Sequence, residues 1–509
     1  MRADSPTMAI HTAANPIPLK RANLAKIGQS AAIPTYDRQT LSPGIVHIGL
    51  GNFHRAHQAW YLHRLYQQGI TQDWAIIGAG VRPYDAAMRE TLRRQDYLST
   101  LLRLDPGAIE AEIIGSIIDY LPVEADHGAL IRRLAAPAIR IVSLTVTEGG
   151  YYLNPATRRF DTEHPDIQQD AQRPRRPQTV FGILVAALKL RRQHGVGPLT
   201  GLCCDNLQGN GHLLRQAVLS LARLSDPELA DWIAGECTFP NTMVDCIVPA
   251  TGPRELALAG ALGIDDAAPV THEPFRQWVI EDRFCRGRPA WDQAGATFCD
   301  DVHAYETMKL RILNGGHQLI ADTAQLLGIT TIADAMRHPK INALYRKVET
   351  EEIAPHVRAV PEFTPAQYIE LIAQRFANPA LGDTTRRVAF DGSSRHPAFV
   401  IPSIRDGLAH GAPVTGLALV SAIWARYCLG TREDGSRIAP NDPHWDTLTA
   451  HAHIARNTPR AWLTLRRHYS DLADAPRFAG AFAHWLKKLY ADGLHATLDH
   501  YLDQPADSR

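Results

Sequence analysis

Over roughly the first 300 residues, short apolar runs bounded by glycine or proline alternate with longer amphipathic stretches. In "GIVHIGLGNFHRAHQAWYLHRLYQQG" an apolar strand over 45–49 meets a glycine turn and then a helical pattern. "WAIIGAGV" (74–81) reads as a second buried strand, and "DYLSTLLRL" with "EAEIIGSIIDYL" as a hairpin. "IRIVSLTVTEGGYY" (139–152) is a strand rich in β-branched residues. "TVFGILVAALKLRRQHG" is a helix ending at glycine, and "LTGLCCDN" is a strand followed by a helix from about Gly211. "DAQRPRRPQ" (170–178) is expected as a surface loop, because its prolines and charges do not suit a core. This alternation predicts a mainly parallel α/β sheet. After about residue 298 helical repeats dominate, over 303–327, 331–350, 365–377, 414–428 and on to the end. Two domains follow: 1–298, α/β with extensions, and 299–509, mostly helical.

Charge and cysteine content narrow the function classes. Fifty-three Lys and Arg balance fifty-three Asp and Glu, so no global field favours nucleic acid or an anionic membrane. The most apolar late run, "VTGLALVSAIWARYC" (414–428), is too short to span a bilayer and contains Arg426, so no membrane partner is expected. The first twenty residues lack the apolar core of a secretory signal. Seven cysteines without a Cys-x-x-Cys pair argue against structural zinc or a disulfide framework and predict a cytoplasmic setting.

"HIGLGNFHR" places Gly49 and Gly51 at a strand-to-helix turn. Glycines there permit a tight turn and close approach of a pyrophosphate to the backbone. His54 stands where the third glycine of G-x-G-x-x-G would be, so a plain turn is an equal reading of these residues alone. Asp85, in "VRPYD" just beyond the second strand, suits a ribose hydroxyl or, equally, a solvated helix cap; Arg82 beside it would suit the 2′-phosphate of NADP. His54 and His57 are spaced like metal ligands on a helix, but no cysteine or carboxylate cluster joins them, and no metal is expected.

"YETMKLRILNGGH" holds Lys309, Asn314 and His317 among apolar residues. At about 100° per residue all three can share one helix face, with Leu310, Ile312 and Leu313 on the other arc. Gly315 and Gly316, costly in a helix interior, make sense if something approaches the backbone closely. The plain alternative is a helix with a snorkelling lysine.

Together "GLGNFHRAH", "SLTVTEGGYY", "CDNLQGNG", "FPNTMVDCIVP", "KLRILNGGH" and "DGSSR", in this order, resemble the polyol-specific long-chain dehydrogenase/reductase family, particularly its mannitol 2-dehydrogenases, from about residue 41 to near the C-terminus. The resemblance implies an N-terminal Rossmann-type domain, a largely helical C-terminal domain, an active site between them, and NAD (with NADP open) used without a metal. It makes Lys309 the catalytic acid/base, Asn314 and Asn206 oxyanion-hole donors, His317 the group orienting the substrate oxygen, and Glu306 a gate for proton exchange. Asp245, Arg387 and Arg395 become substrate contacts, with Arg395 standing where a lysine is expected in mannitol dehydrogenases. Cofactor contacts are expected at Gly49, Gly51, Asn52, Phe53, Asp85 and Glu148. The expected activity interconverts D-mannitol and D-fructose in a monomer or weak oligomer. D-arabinitol, D-sorbitol or a hexuronate (fructuronate or tagaturonate) are alternative substrates. A regulatory NAD-binding protein is the non-enzyme alternative.

Overall fold

The structure is a computed structural model of the protein and describes residues 15–154 and 159–505, apart from the Glu148 side chain. The chain divides into two compact units, Met1–Val302 and His303–Arg509.

The first unit is built on a five-stranded parallel sheet. Its strands, in chain order, are β1 (Pro43–Ile48), β2 (Ala75–Ala79), β5 (Ile117–Tyr120), β6 (Ile141–Leu144) and β7 (Thr200–Cys203), and their spatial order is β5-β2-β1-β6-β7. That is the 3-2-1-4-5 order of a dinucleotide-binding fold, whose direction of winding reverses between β1 and β6. Ile45, Ile76, Ile141 and Leu202 feed one hydrophobic core, and Val46, Ile77, Val142 and Cys203 feed another on the opposite face. Both faces are covered, which is why these strands read as unbroken apolar runs. Helices α1 (Asn52–Ala56) and α2 (Gln58–Gln67) follow β1, and α3 (Asp85–Arg94) follows β2. Helix α4 (Val180–Gln193), capped by the Thr179 hydroxyl on the Gly182 amide, packs with α5 (Asn210–Ser225) on the second core.

Three expectations for the first unit need correction. The proposed hairpin is only half right: β3 (Ser99–Asp105) pairs antiparallel with β4 (Ala108–Ile114), but the rest of the second segment leaves to become β5 in the parallel sheet. The 139–152 strand ends at Leu144, because the Asp205 carboxylate captures the amides of Val146 (3.1 Å) and Thr147 (2.8 Å) and Thr147 turns to φ +66°. The 170–178 loop begins inside a helix (Pro165–Gln172), and Asp170 is buried, accepting bonds from the Gln178 amide and the Thr179 amide and hydroxyl. Its charge caps a turn rather than facing water.

The second unit is helical. Helix α6 (His303–Met308) runs into a π-turn, Lys309–Asn314, and continues as α7 (Gly315–Leu326). The expected 331–350 helix is split into Ile332–Arg337 and α8 (Pro339–Val348), since Pro339 lacks an amide proton and forces His338 into an extended conformation. A second π-turn, Glu349–Ile353, follows. Helices α9 (Pro365–Phe376), α10 (Thr385–Ala389) and α11 (Gly392–Phe399) come next. No helix among the described residues is long and apolar enough to cross a membrane.

The winding reversal fixes one glycine. Gly49, directly after β1, has φ +91°, and a Cβ there would run into the Thr145 carbonyl oxygen directly after β6. Gly49→Ala is therefore expected to lower unfolding free energy by about 2 kcal/mol or more, measured by urea denaturation; an unchanged midpoint would contradict the close approach.

Candidate active site

In the first unit the turn after β1 is held from below. The Thr145 hydroxyl donates to the Gly49 carbonyl (2.8 Å) and also meets His47 Nε2 (2.9 Å). His54, in place of the third glycine, lies flat on His47 with ring centroids 3.4 Å apart. Burial holds both imidazoles neutral, His47 down to about 3 and His54 well below its ordinary value. A ring stack thus supplies the helix-to-strand contact that a glycine would otherwise allow. His57 is engaged elsewhere, with Nε2 at the Gln277 carbonyl (2.9 Å) and Nδ1 at Gln58 (3.0 Å). Among the described residues no group of three or more His, Cys, Asp or Glu could hold a metal ion.

Gly51 differs from Gly49. Its φ of −106° suits any residue, and a Cβ would meet nothing nearer than the Gly49 carbonyl at 3.8 Å. The fold does not demand glycine here, whereas a pyrophosphate lying against the turn would, so the residues fit a dinucleotide. Asn52 uses its carboxamide internally, donating to Pro249 and Thr251 and accepting from the buried Arg55 (2.8 Å). Phe53 stacks on His57 at 4.9 Å. Both side chains brace the turn. Asp85 is neither a solvated cap nor uncommitted: one carboxylate oxygen accepts the Val81 and Arg82 amides (both 2.9 Å) and shapes the loop after β2. The side chain of Glu148 lies outside the described residues.

After β7, the buried Asp205 accepts the Tyr151 hydroxyl (2.7 Å) besides the amides of Val146 and Thr147, tying together the ends of β6 and β7. Asn206 follows it and is exposed. Asp245 is buried at the end of strand β8 (Thr242–Asp245).

In the second unit the π-turn changes the expected geometry. Its i→i+5 bonding sets Asn314 one turn above Lys309, closer in direction than the α-helical repeat would place it. Lys309 is buried, as is Glu306 one turn earlier, with His303 Nδ1 3.7 Å from the Glu306 carboxylate. Asn314 Oδ1 and His317 Nε2 are buried atoms with no hydrogen-bond partner among the described residues. Burial drives the His317 imidazolium well below its ordinary range, and the charges of Arg387, Arg375, Arg395 and Lys309 push in the same direction. Lys309, Arg375, Arg387 and Arg395 thus lie near enough to His317 for their charges to act on it. Arg387 is gripped by Asp383 through two bonds (2.7 and 2.5 Å), and Arg395 donates to the Val388 carbonyl (2.8 Å).

Sequence reasoning missed Arg375 and Phe376 at the end of α9, although the Phe376 ring stacks on His317 at 4.1 Å. An arginine in the last turn of a helix ordinarily reads as a solvated partner of the helix dipole. It also missed the buried carboxyls Asp322 and Glu349. Burial raises both well above the usual carboxylate range, Asp322 with help from Asp442 and against Arg395. Glu349 explains Gly316: a Cβ there would lie 2.7 Å from the Tyr345 ring and 2.9 Å from Glu349 Oε1. A Cβ at Gly315 would meet nothing nearer than the Phe399 carbonyl at 3.5 Å.

Residues 43–293 match the mannitol dehydrogenase Rossmann domain and residues 301–490 the mannitol dehydrogenase C-terminal domain. The chain belongs to the mannitol dehydrogenase family. The mannitol 2-dehydrogenase of Cereibacter sphaeroides is 54% identical over 474 residues, covering 93% of this chain and 99% of that one. That of Aspergillus terreus is 39% identical over 500 residues, covering 96% and 100%. Among solved structures, the Pseudomonas fluorescens mannitol 2-dehydrogenase ternary complex with NAD and D-mannitol superposes with TM-score 0.88 at 39% identity, covering 96% of this chain and all of that one. A substrate-free D-sorbitol dehydrogenase gives 0.86 at 32% identity, covering 95% and 100%. Asn206 lies in the matched Rossmann segment, and Lys309, Asn314 and His317 lie in the matched C-terminal segment.

Gly51→Val should fold with a near-normal melting temperature yet bind NADH at least about tenfold more weakly, read by fluorescence titration; retained affinity would remove the dinucleotide from this turn. Glu349 gives a pH prediction. Its folded-state pKa lies above the unfolded value of about 4.3, so the wild type is at full stability below that pH and loses stability as pH rises. Glutamine does not titrate. The stability of Glu349→Gln relative to wild type should therefore increase between pH 5 and 8, by more than ~1 kcal/mol, in urea unfolding at the two pH values. A constant difference would mean that the carboxyl is not held protonated.

Proposed function

We propose that this chain is an NAD-dependent polyol dehydrogenase that interconverts D-mannitol and D-fructose, with Lys309 as general acid/base. The observation that carries the reading is that the charges of Lys309, Arg375, Arg387 and Arg395 all act on a half-buried, neutral His317, within a domain of the mannitol dehydrogenase family.

A free lysine, with pKa about 10.4, is a poor base at neutral pH. Removal from water is the usual route by which a lysine becomes a usable base, and Lys309 is buried. Lys309 then takes the substrate hydroxyl proton, and returns it when the ketone is reduced. The bound nicotinamide supplies the hydride acceptor or donor. Asn314 and Asn206 donate hydrogen bonds to the developing alkoxide, each worth roughly 2.7–4 kcal/mol when preorganised. His317 remains uncharged and orients the reacting oxygen through Nε2. Glu306 passes the proton between Lys309 and solvent, aided by the exposed His303. Asp383 holds the Arg387 fork in place for the remaining hydroxyls, which Arg395 and Asp245 also bind. The seven free cysteines suit a cytosolic setting. NAD is preferred over NADP in this reading, with Arg82 as the residue that would reverse it.

Arg395 favours a second reading in one respect, because a guanidinium recognises a carboxylate as readily as hydroxyls. The test measures kcat/KM for fructose and fructuronate with NADH, in the wild type and in Lys309→Ala. Fructose is expected to be the better substrate, and the variant to lose about three orders of magnitude or more in kcat while still binding NADH. A clear preference for the uronate would reassign the substrate. A fully active Lys309→Ala would end the lysine assignment, and no turnover of any polyol, ketose or uronate by the wild type would favour a regulatory NAD-binding role.

A further inference from the structure

A histidine that orients a substrate is usually fixed through a hydrogen bond on its other ring nitrogen. His317 is held differently. Its imidazole lies on the phenyl face of Phe376, with centroids 4.1 Å apart and planes 21° from parallel. Phe376 is the last residue of α9 and is buried. Its ring in turn meets Tyr345 of α8 edge-on, at 6.0 Å and 62°. Tyr345 is fully buried and fills the space that a side chain at Gly316 would need. The backbone that carries His317 and the ring beneath it are thus braced by the same tyrosine. Neither Phe376 nor Tyr345 offers the imidazole a charge or a strong hydrogen bond, so this contact acts through ring geometry alone.

We propose that Phe376 is a positioning residue for the reaction: its ring face sets the plane of His317 and so the direction in which Nε2 points at the substrate oxygen. The inference rests on the role given to His317 in the proposed function. An offset ring stack confines tilt but not charge, and a small misplacement of an orienting group costs rate without unfolding the protein. The stack also accounts for a phenylalanine at a helix end where any apolar residue would fill the volume.

The experiment is a double-mutant cycle between positions 376 and 317. Phe376→Leu and Phe376→Met keep apolar volume and remove the flat face, Phe376→Tyr restores it, and His317→Ala removes the partner. Fructose reduction and mannitol oxidation are followed as kcat and KM, with NADH affinity and melting temperature as controls. Phe376→Leu and Phe376→Met are expected to lower kcat/KM about tenfold, with NADH affinity unchanged, and Phe376→Tyr to recover most of it. In the His317→Ala background, Phe376→Leu should change kcat/KM by no more than about twofold, because the group it positions is gone. The proposal is overturned if the loss repeats in full in that background, which would mark a general packing defect, or if both Leu and Met variants keep wild-type kcat/KM. If His317→Ala alone leaves kcat/KM unchanged, the role of His317 falls and this inference with it; in the two former cases only the inference falls.

Discussion

The close contact of Gly316 with Tyr345 and Glu349 governs the geometry of the second unit's chemistry. Helix α7 can lie against α8 only because residue 316 has no side chain. Immediately before this contact the chain has made a π-turn, in which the backbone advances by five residues per hydrogen bond instead of four. The turn directs Lys309 and Asn314 the same way, and the glycine contact stops the helix from relaxing into a uniform α-repeat that would swing them apart. π-turns are poor in intrinsic stability and survive where packing on both sides compensates. A second π-turn at Glu349–Ile353 packs against the first, so the irregularity of one helix is matched by that of its neighbour.

A comparable constraint orders the first unit. The winding reversal between β1 and β6 brings Gly49 and Thr145 together, and the Thr145 hydroxyl, His47 and His54 lock the turn from behind. Asp205 does the same for the adjoining loops, spending its carboxylate on two amides and a tyrosine hydroxyl. Those bonds bend the chain away from the sheet after Leu144 and present Asn206 at the surface. Buried polar contacts immobilise the backbone beside the candidate groups of the first unit, and close packing at Gly316 does so in the second.

Local pattern made much of this legible. Unbroken apolar runs pointed to four of the five parallel strands because both faces of the sheet are covered, while β5 was hidden inside an expected hairpin; the lysine, asparagine and histidine were visible as polar residues in an apolar helix. Gly315 and Gly316 signalled a close approach, though only Gly316 is sterically required by its neighbours. What stayed hidden depended on distant partners. Asp205, Asp170 and Glu349 look like ordinary solvated carboxylates in sequence, since nothing local shows that amides 59 or 8 residues away will take the first two or that the third will be entombed. Asp85 was seen, but its bonds to the amides of Val81 and Arg82 are a matter of loop shape. Phe376 and Arg375 escaped for the same reason: α9 meets His317 only in the folded unit.

The buried carboxyls bear on the electrostatics of the proposed reaction. Asp322 and Glu349 are both held toward the neutral acid, so neither supplies the counter-charge that their composition would suggest. Arg375, Arg387, Arg395 and Lys309 meanwhile act together on His317. The field at the imidazole is therefore positive, even with Asp383 gripping Arg387. Such a field favours the negative oxygen that would form in the proposed reaction. A neutral His317 suits that field, because an imidazolium at the same place would be repelled by Arg375, Arg387 and Arg395.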